Sequence, residues 1–175
     1  EITDIFVKDE KIEAIEINHT KKVKTDLLIL AIGHSARDTF AMLKEKKLTM
    51  EAKAFAVGFR VEHPQAMINK LQYKGADMKY LPVAPYKITA QTSTGRGVYS
   101  FWMCPGGFVV NASSEENRLA INGMSYYKRD SNNANSAIIV SVTPDDFESK
   151  DALAGVVFQR KLEELEAPVI YVEGE

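Results

Sequence analysis

The fold of this chain is decided first by residues 27–39, which read LLILAIGHSARDT. An aliphatic run of this length predicts a buried strand, and Gly33 allows a tight turn where the strand ends. A helix start is then predicted, with Ser35 as the N-cap and Asp38 completing a capping box. This order is typical of sites for an anionic cofactor. An ordinary connection without a ligand is the alternative, because one glycine carries little specificity.

The composition is that of an ordinary globular protein. Hydrophobic residues make up 45% and charged residues 26% of the 175 residues, and the formal net charge is −2. This charge does not favour a nucleic-acid or membrane partner, for which a basic excess is expected. The longest apolar run, 27–32, is too short to cross a bilayer. With Cys104 as the single cysteine and no secretory signal, we expect a cytoplasmic protein without disulfides.

Hydrophobic patterning divides the chain into three parts. Residues 1–48 alternate predicted strands with a helix, residues 49–149 are rich in short strands with close turn signals, and residues 150–175 begin as a helix. Closely spaced short strands favour an antiparallel sheet. The predicted fold class is therefore α+β, with a mainly antiparallel β middle part.

Individual elements are predicted from periodicity and turn signals. A hairpin is predicted around the polar residues 8–11. Further strands are predicted at 21–25, 26–32, 55–61, 86–91, 97–103, 108–112 and 137–142. Helices are predicted at 36–47, 64–72 and 151–166, the last with Leu153, Val157, Leu162 and Leu165 as apolar positions. Residues 132–135 are predicted to form a polar loop, and 167–175 a partly disordered tail.

Two glycine clusters bracket an aromatic strand between Gly95 and Gly107. The sequence Cys-Pro-Gly-Gly at 104–107 predicts a turn that lets the backbone approach a flat ligand closely. Cys104 is a candidate catalytic thiol, which needs a lowered pKa or a neighbouring base. Its alternative role is that of a small buried hydrophobe.

A third candidate site follows at residues 122–130, where amide, hydroxyl and guanidinium groups surround a glycine. Such groups orient a polar ligand or stabilise an anion. The candidate substrate-binding residues are Asn122, Ser125, Tyr126 and Arg129. A hairpin with exposed aromatic residues is the alternative.

Several other classes of site are not supported. His19, His34 and His63 are far apart in the sequence and lack the spacing of metal ligands, so no metal site is predicted. Nucleophile-elbow, P-loop and dinucleotide-binding glycine patterns are all missing from the sequence. A cofactor contact at His34 remains open because this residue adjoins Gly33.

Three segments, 31–40, 54–65 and 95–114, together resemble a bacterial family of FAD-dependent or NAD(FAD)-utilising dehydrogenase-like flavoproteins. Residues 122–125, 135–137 and 155–160 extend the resemblance, which covers roughly residues 1 to 165. The motifs are specific in combination, although each is weak alone.

The resemblance implies a parent protein with two domains. One is a Rossmann-like FAD domain of the glutathione-reductase type, whose glycine-rich fingerprint is expected upstream of residue 1. Residues 1–48 and 150–175 are expected to belong to this domain, and residues 49–149 to a mainly β domain inserted into it. The upstream remainder of the FAD domain is then a partner of this chain.

The resemblance also implies contacts with FAD. Residues 31–33 match a second FAD motif, often Ala-Thr-Gly, in which Ile32 replaces the threonine. The expected cofactor-binding residues are Ile32, Gly33, His34, Ser35 and Arg37, with Gly106 and Gly107 facing the flavin. Because the first phosphate-binding turn is expected upstream, we expect that the isolated chain does not retain FAD.

The implied function is that of an FAD-dependent oxidoreductase. Hydride or electrons would pass between the flavin and a small-molecule substrate, with NAD(P)H as a candidate reductant. A flavoprotein-associated module that recognises RNA, a nucleotide or a protein is one alternative. A purely structural domain is the other.

Overall fold

The computed structural model describes residues 1–165 and the backbone of Val169–Tyr171. The chain forms two compact units: unit 1 comprises Glu1–Ala52 and Ser149–Val156, and unit 2 comprises Lys53–Glu148 and Val157–Glu175. Strands, mostly antiparallel, predominate over helices, which confirms the predicted α+β class. The assignment of 1–48 and 150–175 to an FAD domain, and of 49–149 to an inserted domain, stays a prediction.

Unit 1 is built on an antiparallel sheet in the order β1-β2-β3. The strands are β1 (Ile2–Lys8), β2 (Lys11–Ile17) and β3 (Lys21–Lys24), followed by helix α1 (Arg37–Glu45). Asp9 and Glu10 both have positive φ, as a two-residue hairpin turn requires. Ile5 and Ala14 are buried in the core of this unit. The predicted hairpin, third strand and helix are thus confirmed, with bounds that differ by up to two residues.

The buried strand predicted at 26–32 is wrong. No strand is assigned between β3 and α1, and Ile29 is 81% exposed. A buried strand of this kind depends on neighbours that satisfy its backbone hydrogen bonds and cover both faces. Among the described residues no strand pairs with this segment, so its aliphatic pattern does not by itself produce a strand.

The capping box predicted for α1 is also wrong. The N-cap is Ala36, and no side chain caps the helix. Ser35 lies one residue too early, and its Oγ lies 2.9 Å from Nδ1 of His34. The helix therefore starts without the Ser35–Asp38 pair.

Unit 2 contains a five-stranded sheet and a separate hairpin. Its elements are β4 (Phe55–Pro64), α2 (Gln65–Tyr73), β5 (Thr89–Gln91), β6 (Gly97–Cys104), β7 (Gly107–Asn111), β8 (Ile121–Ser125), β9 (Asn133–Val142), α3 (Ala154–Glu163), which begins in unit 1, and β10 (Val169–Tyr171). The sheet order is β10-β4-β9-β6-β5, and β7 pairs with β8 alone. All of these pairs are antiparallel except β10 with β4.

The antiparallel pair β4–β9 is the centre of the sheet. It runs in unbroken register from Phe55 opposite Val142 to Pro64 opposite Asn133. The strands predicted at 55–61, 97–103, 108–112 and 137–142 are confirmed, as is the helix predicted at 64–72. Of the strand predicted at 86–91, only residues 89–91 form a strand, which is β5. β8 was predicted only within the alternative that residues 122–130 form a hairpin.

The polar loop predicted at 132–135 is wrong for most of its length. Residues 133–135 belong to β9, and Asn135 has 0% exposed surface. A polar side chain tolerates such burial when it is hydrogen-bonded, and Asn135 accepts a hydrogen bond from Arg60. A buried partner therefore allows a polar sequence to continue the strand.

The helix predicted at 151–166 is shorter, and its apolar face differs from the prediction. Val157, Leu162 and Leu165 are all exposed. Phe158 instead packs against Phe147 and Phe55, with ring centroids 5.6 and 6.2 Å away. Aromatic burial in unit 2 thus decides which face of α3 is covered. In the predicted tail 167–175, Val169–Tyr171 form β10, and the other residues lie outside the described part.

No helix in the described residues is long and apolar enough to cross a membrane. Within the same residues, no group of three or more histidine, cysteine or carboxylate side chains is arranged to hold a metal ion.

Candidate functional site

A buried cation lies near the centre of unit 2. Arg60, on β4, is 5% exposed. Its Nη1 donates to Oδ1 of Asn135 at 2.7 Å and to the carbonyl oxygen of Trp102 at 3.3 Å. Its Nη2 donates to Oδ1 of Asn122 at 3.3 Å. These three acceptors are all uncharged, so the guanidinium is held by hydrogen bonds without an opposite charge among them.

The electrostatics of Arg60 reflect this setting. Burial lowers the pKa of Arg60 from its ordinary value, whereas the nearby Cys104 and Tyr86 act in the opposite direction. Withdrawal from water disfavours the charged form of a basic group. An anionic group close to Arg60 therefore opposes this cost.

The β8 backbone lies directly against the Arg60–Asn135 pair. A Cβ added to Gly123 would lie 2.2 Å from both Nη1 of Arg60 and Oδ1 of Asn135. Side chains at such distances overlap, so only glycine fits unless the pair moves. The hairpin β7–β8 thus covers the cation closely.

β6 is irregular where it passes this cluster. The register between β6 and β9 shifts between Phe101 and Cys104, as in a β-bulge. Trp102, within the shift, has φ of +50° and is 70% exposed. Left-handed backbone is unusual and costly for a bulky residue, and such strain often accompanies functional sites. The bulge thus exposes the ring of Trp102, while the carbonyl oxygen of the same residue accepts a hydrogen bond from Arg60.

Cys104 and Asn135 lie opposite each other across β6 and β9. Sγ of the half-buried Cys104 donates to the carbonyl oxygen of Trp102 at 3.3 Å. Among residues 1–165, Nδ2 of Asn135 is buried without a hydrogen-bond partner. An unsatisfied buried donor costs about 1–3 kcal/mol. The cluster therefore has an unused donor beside its cation.

Gln65 fixes the turn that follows β6. Its Oε1 accepts from the backbone N–H of Gly106 at 2.8 Å. Its Nε2 donates to Oδ1 of Asn69 and to the carbonyl oxygen of Ala84, at 2.9 and 3.0 Å. The side chain of this 5% exposed glutamine thus ties α2 to the Pro105–Gly107 turn.

His63 and Tyr86 form a second buried polar contact. Nε2 of His63 lies 2.8 Å from the hydroxyl oxygen of Tyr86. Burial lowers the pKa of His63 and raises the pKa of Tyr86. Both shifts favour the neutral forms, so this contact is a neutral hydrogen bond near neutral pH.

The glycine turn at 106–107 approaches this chain's own backbone. Gly106 has φ of +52°, and a Cβ there would lie 1.9 Å from the carbonyl oxygen of Arg129. A Cβ on Gly107 would lie 2.2 Å from the carbonyl oxygen of Met124. Both glycines are required by packing within unit 2, and their contact with a flavin stays a prediction.

The predicted substrate residues fall into two pairs. Asn122 is exposed beside Arg60, and Oγ of Ser125 donates to the carbonyl oxygen of Pro105 at 2.8 Å. Tyr126 and Arg129 lie in the exposed turn after β8, where N–H of Arg129 donates to the carbonyl oxygen of Tyr126 at 3.0 Å. The fold therefore brings Asn122 to Arg60 and Ser125 to the turn after Cys104. Tyr126 and Arg129 contact each other in the turn that follows β8. A substrate role for all four stays a prediction.

The residues predicted to bind FAD in unit 1 surround an open turn. Gly33 has φ of +68°, and a Cβ there would meet nothing within 4 Å. Ile32 lines a cavity of about 340 Å³ together with Leu30 and Ala36. Arg37 is the first residue of α1, and His34 and Ser35 contact each other.

The N-terminus of α1 carries an acidic residue, Asp38, in its first turn. The pKa of Asp38 is lowered by a hydrogen bond with Glu1, and then by the backbone N–H groups of Thr39 and of Asp38 itself. A carboxylate in the first turn of α1 disfavours an anion at this end of the helix. The Gly33 turn leaves open space on its outer side, and the anion-binding role predicted for this helix start stays a prediction.

Sequence reasoning missed the centre of the unit 2 site. Arg60 and Asn135 appeared only within longer motifs, and Gly123 only as a turn residue. The available signal is an arginine inside the apolar strand segment 55–61, which breaks the expected pattern of a buried strand. Such a residue predicts a buried partner network, although its partners cannot be read from the sequence.

Comparison with known proteins identifies a family and a relative of this chain. Residues 54–170, more than half of the chain, match the family described as FAD-dependent protein, C-terminal domain-like. An uncharacterised protein of Clostridium beijerinckii is 52% identical over 163 residues. The match covers 92% of this chain but 30% of that relative's length. The chain therefore corresponds to less than a third of that relative.

Proposed function

The chain belongs to the FAD-dependent protein, C-terminal domain-like family, and on this premise we propose that it is part of an FAD-dependent oxidoreductase. When bound, FAD would supply the transfer of hydride or electrons, as flavins do in such enzymes. NAD(P)H is the proposed reductant, and a cytoplasmic location is part of the same proposal. The upstream part of the FAD domain is the proposed partner.

In unit 1, the proposed role of Ile32, Gly33, His34 and Ser35 is to contact a neutral part of FAD. The open space at Gly33 supports close approach by a flat group. The acidic Asp38 in the first turn of α1 supports a pyrophosphate position away from this helix start. A phosphate site elsewhere in the longer protein is therefore part of the proposal, and the isolated chain is not expected to hold FAD.

In unit 2, the proposed role of the Arg60 cluster is to bind and orient the substrate. The observation that carries this role is the strained, exposed Trp102, whose carbonyl oxygen accepts from a buried arginine. Strain of this kind persists only where surrounding structure enforces it. Cys104 adjoins the cluster and is the candidate redox thiol.

The proposal is tested in a longer protein that contains this chain. We expect a flavin absorbance band that survives desalting and is bleached by NADH or NADPH without oxygen. We also expect Cys104→Ser to abolish turnover with retained flavin, whereas Ser113→Ala, outside the Arg60 cluster, retains both. Absence of flavin contradicts the proposal. Steeply salt-dependent RNA binding without flavin would favour the RNA-binding alternative, and near-normal turnover of Cys104→Ser would remove the catalytic role of the thiol.

A further inference from the structure

We propose that Arg60 and the side-chain amide of Asn135 form a binding site for the carboxylate group of a small molecule, with its opening at Asn122. As the substrate class of the unit 2 site, this ligand depends on the proposed function. Binding of a carboxylate does not depend on it, because no flavin is needed for an arginine to bind an anion.

The first step concerns charge. No carboxylate in the described part of the chain forms an ion pair with Arg60, and its hydrogen-bond acceptors are neutral. A buried charge costs several kcal/mol unless it is paired. An anion bound at this point supplies the opposite charge that the described residues do not provide.

The second step concerns the donors. Oδ1 of Asn135 accepts from Arg60 at 2.7 Å, which fixes the amide so that Nδ2 points its hydrogens elsewhere. Nδ2 has no partner among residues 1–165. One oxygen of a carboxylate can accept from the guanidinium, and the buried amide is the donor for the other oxygen when the β7–β8 hairpin moves away from the pair.

The third step concerns access. The bond from Nη2 of Arg60 to Asn122 is 3.3 Å long, at the weak end of the range for N–H···O bonds. Asn122 is exposed, whereas Asn135 is not. An incoming carboxylate can therefore replace the amide of Asn122 as the partner of Nη2.

The fourth step distinguishes a carboxylate from a phosphate. One buried cation neutralises the single charge of a carboxylate, but it leaves about one excess negative charge on a phosphate dianion. Among residues 1–165, Arg60 is the cation within hydrogen-bond distance of Asn122 and Asn135. Charge balance therefore favours the carboxylate.

The fifth step concerns the rest of the ligand. Arg60 and Phe101 lie on either side of Ala137 in the sheet register, so all three share one face. Phe101 is half exposed, and its ring meets that of Trp102 edge to face at 5.5 Å. Exposed aromatic rings beside a cation suit a ligand whose carboxylate is attached to an apolar or aromatic group.

The test uses Trp102, which is the single tryptophan of the 175-residue chain. Its fluorescence is followed while sodium phenylacetate, sodium acetate, phenylacetamide or sodium phosphate is added at constant ionic strength. Phenylacetamide keeps the ring of phenylacetate and removes its charge. We expect saturable binding of phenylacetate, with phenylacetamide about ten- to a hundredfold weaker. We expect acetate to bind more tightly than phosphate.

A matched pair of variants completes the test. Asn122→Asp places a carboxylate beside Arg60, so we expect loss of the phenylacetate response. Asn111→Asp adds the same charge to the same hairpin, in a separate cleft with Glu115 and Arg118, and we expect it to bind like the wild type. Equal binding of phenylacetate and phenylacetamide, tighter binding of phosphate than acetate, or unchanged binding by Asn122→Asp would each overturn the inference. If the longer protein binds phenylacetate but contains no flavin, this result would support the carboxylate site and contradict the proposed oxidoreductase.

Discussion

Gly33 and Gly123 are both glycines beside predicted binding residues, but their surroundings are opposite. A Cβ on Gly33 would enter open space, whereas a Cβ on Gly123 would lie 2.2 Å from Arg60 and Asn135. Gly33 is required for its positive φ, and Gly123 for the close approach of β8 to a buried cation. A glycine can therefore lie beside open space, as Gly33 does, or against closely packed atoms, as Gly123 does. Of the two, only Gly123 indicates a polar cluster that is held in place.

Gly123→Ala is expected to have the largest effect. The new methyl group forces Arg60 away from Asn135, so we expect a loss of about 3 kcal/mol in the free energy of unfolding. Urea unfolding followed by Trp102 fluorescence measures this loss within unit 2. Gly97→Ala, where a Cβ meets nothing within 4 Å, is the control on the same unit. A loss no larger than that of Gly97→Ala would show that the cluster is not tightly packed.

Asn135→Ala is expected to have the next largest effect. It removes the shortest hydrogen bond of Arg60 and leaves the buried cation with two 3.3 Å partners. A hydrogen bond to a charged group contributes about 2 kcal/mol, and we expect a loss of that size. Asn133→Ala, on the same strand, removes a part-buried bond to Glu62 and should cost less. The reverse order in urea unfolding would contradict the central position of the Arg60–Asn135 pair.

Gly33→Ala is expected to have a smaller effect, through backbone strain alone. At φ of +68° an alanine costs about 1 kcal/mol, because the side chain disfavours left-handed backbone. Far-UV circular dichroism during urea unfolding measures this loss. An increase in stability would show that the turn at Gly33 does not keep its positive φ.

His63 is expected to contribute a modest pH dependence. Its pKa is lowered by burial, so below about pH 6.5 the unfolded chain takes up a proton that the folded chain resists. Stability therefore falls as the pH drops from about 7 to about 5. We expect His63→Gln to reduce this fall, as seen in urea midpoints at the two pH values. An unchanged fall in His63→Gln would contradict the sign of this contribution.

The elements that local pattern determines were predicted well. The hairpin β1–β2 follows from alternation around a polar turn, and helix α2 follows from the start signal at Pro64. The segment 27–32 failed because a buried strand depends on neighbours that the described residues do not provide. Residues 133–135 failed for the opposite reason, since Arg60 supplies a buried partner from a strand about 75 residues away.

The candidate site was predicted only in part, for the same physical reason. Asn122 and Cys104 were recognised as chemically suitable, and the fold brings both to Arg60. The bulge at Trp102 and the close contact at Gly123 depend on register between strands that are distant in the sequence. Residue type therefore predicted Asn122 and Cys104 at the edge of the site. The pairing of distant strands determines the contacts of Arg60 at its centre.

The central claim is that Arg60 is a buried cation to which the described residues supply no opposite charge. The thermal midpoint of Asn122→Asp, compared with Asn111→Asp and the wild type, tests it most directly and without a ligand. A carboxylate in place of the Asn122 amide, whose oxygen lies 3.3 Å from Nη2 of Arg60, supplies this charge, so we expect Asn122→Asp alone to raise the midpoint. A midpoint equal to or below that of Asn111→Asp would show that Arg60 is already neutralised and would contradict the account.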